Sequence, residues 1–115
     1  MKDQYVGDIG DFEKYSVLRA LQRASGLPLV VCWMLTAPDT TGEGGRIDYL
    51  RSPERYRHLE PLVFDALDEL VRRDRRSCEA VEAAGFLDHA AFVREQLLDN
   101  VGSRTKYCIG AGLTA

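Results

Sequence analysis

Leu29-Val30-Val31-Cys32-Trp33-Met34-Leu35 is an unbroken run of seven apolar residues with no polar alternation. Pro28 stands before it and Pro38-Asp39 soon after. A run of this length, bounded by turn residues, reads as a strand buried on both faces, the pattern of a parallel sheet covered by helices. That reading sets the fold class as α/β, and the flanking segments supply the helices.

Upstream lies Tyr5-Val6-Gly7-Asp8-Ile9-Gly10-Asp11-Phe12-Glu13-Lys14-Tyr15, with two Gly-Asp steps leading into an amphipathic run. Asp8 or Asp11 can cap a helix by accepting a first-turn backbone N–H. The helix is predicted over 11–24, with Phe12, Tyr15, Leu18 and Leu21 as its apolar stripe. Gly26 ends it in the left-handed C′ conformation and Pro28 blocks continuation. Downstream, 36–48 is a loop containing Gly42-Glu43-Gly44-Gly45, and Ile47, Tyr49 and Leu50 suit a short strand. Ser52-Pro53-Glu54 starts a short helix with Pro at N1. A helix over 61–74 places Val63, Phe64, Leu67, Leu70 and Val71 on one face. Further helical pieces are predicted over 76–84, ending at Gly85, and over 89–99, capped by Asp88 and carrying Phe92, Val93, Gln96 and Leu97. One strand cannot make a sheet, so partners are expected from 46–50 and 105–110, from another subunit or from sequence absent here. The expected architecture is helix-rich with a small, mostly parallel, Rossmann-like sheet. One domain is expected over 1–101, with a loosely structured tail over 102–115 and at most a short strand at 106–109.

The chain has 115 residues, 45% of them hydrophobic, and a net charge of -3. That suits one small globular domain, without a bulk field toward DNA or anionic membranes. No apolar run is long enough to span a bilayer, and no secretory h-region follows Lys2-Asp3-Gln4. Cys32, Cys78 and Cys108 form no CxxC pair or zinc knuckle, which fits a reduced, cytoplasmic setting. His58 and His89 are isolated, so no metal site is expected.

The site is expected where the first helix starts. A helix of about 14 residues spans roughly 21 Å, and a seven-residue strand roughly 23 Å. An antiparallel helix–strand pair of matched length brings Asp8 and Asp11 level with the strand's end, near Asp39, Glu43, Arg46 and Asp48. In open α/β sheets ligands bind outside the carboxyl ends of strands. These six residues are the ligand-binding candidates. The Gly42–Gly45 loop lacks the Lys-Ser/Thr of a P-loop. Twelve arginines outnumber three lysines. Four of them, Arg72, Arg73, Arg75 and Arg76, sit at a helix C-terminus, where they complement the dipole or form a phosphate or nucleic-acid patch.

The start of the chain resembles that of a family of uncharacterised bacterial and phage-associated proteins, through Tyr5 to Phe12, Lys14-Tyr15 and Leu18-Arg19. The resemblance continues through Trp33, Leu35 and Pro38-Asp39 and fades along Arg75-Arg76-Ser77. It implies a distant relation to Rossmann-type methyltransferases, with S-adenosylmethionine or a nucleotide as ligand, in a mobile-element or defence setting. Longer proteins of this kind carry a later Asp-Pro-Asp-Asn-Gly-like strand end, which has no counterpart here. The expectation is therefore a shortened member or an N-terminal portion. The rival reading is a non-enzymatic interaction or oligomerisation module, with another protein chain or a second copy completing the sheet.

Overall fold

The computed structural model describes residues 1–40 and 42–95. Helix α1 spans Ile9–Ser25, strand β1 Leu29–Cys32, helix α2 Pro53–Tyr56, helix α3 Pro61–Arg72, helix α4 Cys78–Ala84 and strand β2 Ala90–Val93. β1 and β2 form a two-stranded parallel sheet in the register Leu29↔Ala90 to Cys32↔Val93. The architecture is thus α/β and helix-rich, with a small parallel sheet.

Local chemistry explains the helix ends. Asp8 is the N-cap of α1 and accepts from Gly10 N at 2.9 Å, while Gly26 closes the helix at φ 65°. Ser77 caps α4 and Gly85 ends it at φ 74°. Pro53 and Pro61 occupy first-turn positions of α2 and α3, where a missing N–H is harmless. α3 buries Val63, Phe64, Leu67 and Leu70 against Phe12 and Tyr15 of α1. On α1 the buried stripe stops early, and Leu21 is 57% exposed. Steps of three residues drift by about 60° per step around a 3.6-residue helix, so Leu21 faces away from Phe12.

Several expectations are corrected. The strand is four residues long, because Met34 adopts φ 50° and breaks it. It is not buried on both faces: Leu29 and Val31 pack on the core, but Val30 is 53% exposed. Residues 46–50 form no strand; Asp48–Arg51 is a 3-10 turn that buries Tyr49 and Leu50. The sheet partner comes instead from 90–93, which was expected to be helical. Ala90-Ala91-Phe92-Val93 has no interior helix breaker, but parallel pairing with β1 captures it, and tertiary context overrides local preference. The expected strand at 106–109, the rest of the 89–99 helix and the 102–115 tail lie outside the described residues.

Two networks hold the layers together. Glu60, at the start of α3, receives Arg19 Nε at 3.0 Å and Arg23 Nη2 at 2.6 Å from α1, and Arg19 also donates to Phe86 O. Trp33 stacks on Phe92 with centroids 5.8 Å apart and donates Nε1–H to Glu82 Oε1 at 2.7 Å. Arg94 pairs with the other Glu82 oxygen.

Candidate functional site

The first seven residues strap the loop after β1 to the start of α1. Gln4 and Asp39 exchange two hydrogen bonds, Gln4 Nε2 to Asp39 Oδ1 at 2.9 Å and Asp39 N to Gln4 Oε1 at 2.7 Å. Tyr5 donates its hydroxyl to Glu43 Oε2 at 2.7 Å. Arg46 N donates to Asp8 Oδ2 at 3.0 Å, and Ile9 N donates to Arg46 O at 3.0 Å. Gly44 must be glycine: at φ 86°, a Cβ there would lie 2.3 Å from Gln4 O.

These bonds enclose a cleft of about 810 Å³ lined by Met1, Tyr5, Asp8, Gly10, Asp11, Lys14 and Gly42 to Arg46. The Met1 amino group donates to Met34 O at 2.7 Å, two residues beyond β1, so the cleft flanks the chain as it leaves the sheet's carboxyl end. Among the six sequence-predicted ligand candidates, Asp8, Asp11, Glu43 and Arg46 share this cleft. Asp39 stands behind its wall, held by Gln4 and by Lys2 at 3.8 Å. Asp48 is exposed and pairs at 3.7 Å with Arg51, away from the cleft. The matched-length argument does not account for the meeting, since α1 has 17 residues and β1 four. The hydrogen-bonded N-terminal strap does. Tyr5 and Lys14 were missed. Lys14 was detectable, because its i,i+3 spacing from Asp11 places both on one helix face; Tyr5 carried no comparable signal.

Asp11 is the unusual member. It is 5% exposed, yet it lines the cleft. Its oxygens accept from Gly7 N at 3.2 Å and from Lys14 Nζ at 2.8 Å. Burial raises its pKa above the ordinary aspartate value, against the opposing pull of Lys14 and the Gly7 N–H. One turn on, the buried Tyr15 hydroxyl finds no hydrogen-bond partner among the described residues, and burial, with Asp11 nearby, pushes its pKa up. The Cys78 thiol is pushed up to about 12 by burial first and Asp3 second, so it is a poor nucleophile.

Three of the four C-terminal arginines have partners within the domain. Arg72 pairs with Asp68 at 2.8 Å and Arg73 with Glu69 at 3.0 Å. Arg76 donates to Val6 O at 2.5 Å, to Gln4 O at 2.7 Å and to Gly44 O, so its guanidinium ties the strap to the rest of the domain. Arg75 is exposed and lines a groove between α3 and α4 whose rim also holds Glu69, Asp74 and Glu79. Among the described residues no cluster of three His, Cys, Asp or Glu side chains could hold a metal ion, and no helix is long and apolar enough to cross a membrane. Comparisons with protein-family models, curated proteins and solved structures find no match.

Proposed function

We propose that this chain is a small-molecule-binding domain of Rossmann-like character, S-adenosylmethionine- or nucleotide-related, whose ligand occupies the cleft at the start of α1. The observation that carries the reading is Asp11. A nine-tenths buried carboxylate with a raised pKa is unfavourable for the fold, and here it faces a cleft beside the sheet's carboxyl end. Perturbed titratable groups in clefts concentrate at functional sites. The test is thermal unfolding with S-adenosylmethionine and with ATP. At 100 times Kd, a ligand adds about 2.7 kcal/mol, a shift of several degrees in a domain this small. Arg46→Ala removes an exposed side chain at the cleft and should abolish the shift while leaving the unliganded melting temperature unchanged.

A second reading, a protein-interaction module, is favoured by the sheet. Strand alternation puts Val30, Cys32, Ala91 and Val93 on the face opposite the core, and all four are apolar. Parallel sheets normally have both faces covered. This reading predicts a melting temperature that rises with protein concentration and loses that dependence in Val30→Lys.

A further inference from the structure

We infer that the outward face of α1 is a self-docking surface, through which two copies of this chain pair as antiparallel helices. The inference is independent of any ligand in the cleft, and it uses a different surface from the bare face of the sheet.

α1 is apolar on two sides. Phe12 and Tyr15 are buried, while Val17 and Leu21 are each 57% exposed. Ala20 and Ala24 are exposed beside them. The charged residues between Val17 and Ala24 are Arg19 and Arg23, and both reach across to Glu60. A solvated helix normally carries charged side chains on its outer face. α3 does so, with Asp65, Glu69 and Arg72 exposed. The outer face of α1 lacks that coat from Val17 onward.

A second observation shows what shape fits there. Gly10, Glu13, Lys14 and Val17, with Leu18 at the edge, line a shallow notch built from α1 alone. These are positions i, i+3, i+4 and i+7, the four-residue hole into which a facing helix inserts a side chain. Gly10 opens the notch. A Cβ there would meet only Asp8 Oδ1, at 3.5 Å, and its backbone is not left-handed. Glycine is a poor helix residue, and among the described residues the packing of one chain does not call for it.

The side chain that fits the notch lies on the same stripe. Gly10, Lys14, Val17, Leu21 and Ala24 alternate in steps of four and three, the spacing of a helix-pairing seam. Leu21 lies four residues, about 6 Å, to one side of Val17, and the centre of the notch lies about as far to the other. Two antiparallel copies with Val17 on the two-fold axis therefore seat each Leu21 in the other's notch and lay Ala24 on Gly10. Such a contact is isologous and closes at two copies. Glu13 and Lys14, on the rim, are of opposite sign, so the stripe brings no block of like charge to the pair. One helix pair is a small interface, which makes the dimer a weak one.

The test is sedimentation velocity of the full chain from about 1 µM to about 1 mM, the range of weak interfaces. Wild type should pass from monomer to dimer across it. Leu21→Lys removes the inserted side chain and Gly10→Gln fills the notch. Both introduce good helix formers at exposed positions, and each should raise the dissociation constant about tenfold or more. Circular dichroism melting at the lowest concentration confirms that the variants fold. Disulfide trapping reads the register. Helix axes about 8–10 Å apart bring facing residues on the two-fold axis within disulfide reach. Oxidised Val17→Cys should therefore yield a covalent dimer that wild type, with its own cysteines, does not. A wild type that stays monomeric throughout, or a dimer unchanged by Leu21→Lys, would overturn the inference. So would a dimer lost in Val30→Lys and kept in Leu21→Lys, which would place the contact on the sheet. Should the Leu21 and Gly10 variants fold poorly, the Val17→Cys cross-link decides: its formation supports the pairing and its absence overturns it.

Discussion

Arg76 is the residue whose replacement most directly separates a structural from a recognition role. Its guanidinium donates to the carbonyl oxygens of Val6, Gln4 and Gly44. A hydrogen bond to a charged donor contributes about 1.5–3 kcal/mol, and a buried acceptor left without a partner loses its desolvation energy as well. Val6 is fully buried, so water cannot replace the donor there; Gln4 and Gly44 are half-buried and are rehydrated in part. The three losses therefore do not add, and Arg76→Met should destabilise by about 3–5 kcal/mol. In a domain this small, each kcal/mol shifts the melting temperature by about 4–8 °C, so a fall of at least about 12 °C follows. Arg76→Lys can serve one carbonyl in place of three and should recover only a minority of the loss. Far-UV circular dichroism and Trp33 fluorescence, followed through urea unfolding, measure both. An Arg76→Met protein within 0.5 kcal/mol of wild type would refute the reasoning, as would one whose only defect is in nucleic-acid binding.

Three further outcomes are expected. Trp33→Ala should destabilise by about 3–5 kcal/mol, because the indole is 4% exposed and stacked on Phe92; native fluorescence at the wavelength of a water-exposed indole would contradict this. Asp11→Asn should gain stability over wild type as pH rises. The folded-state pKa of Asp11 lies above its unfolded value, so its contribution is fully present below about pH 3.9 and is lost as pH climbs through the raised value. Urea midpoints of both proteins from pH 3 to 7 check the sign, and a gap that narrows with pH sinks it. Gly44→Ala should destabilise by about 2–4 kcal/mol, from the left-handed backbone and the contact with Gln4 O, and circular dichroism melting would show it; a neutral result would mean the strap is not packed against this loop.

The helices were legible because their ends carry local chemistry. Asp8, Gly26, Pro61, Ser77 and Gly85 each act within a turn of their own position. The sheet was only half legible. Leu29 to Cys32 announced itself by apolarity, but its partner is set by a pairing 61 positions away, from Leu29 to Ala90. Phe92 and Val93 fit a helical stripe as well as a strand, and nothing local decides between them. The cleft was legible for Asp8, Asp11, Glu43 and Arg46, but through an argument of matched lengths that the structure replaces with the strap. Asp39 and Asp48 do not line it: Asp39 is hydrogen-bonded to Gln4, and Asp48 sits exposed on the 3-10 turn with an ion pair to Arg51.

The strap also determines when the domain can be completed. Its anchors are far away in the chain: Arg76 holds Gln4 and Val6, and Cys78 N donates to Asp3 Oδ1 at 2.9 Å. During synthesis, Asp3, Gln4 and Val6 thus complete their contacts late, since these partners lie 70 or more residues behind them, whereas Met34, Asp39 and Glu43 reach the strap earlier. Closing loops of that length is slow compared with forming α1 or α3. The attachment of Asp3, Gln4 and Val6 to Arg76 and Cys78 therefore belongs to the late side of the folding barrier. Substitutions at Asp3 or Arg76 should hasten unfolding and barely alter the refolding rate.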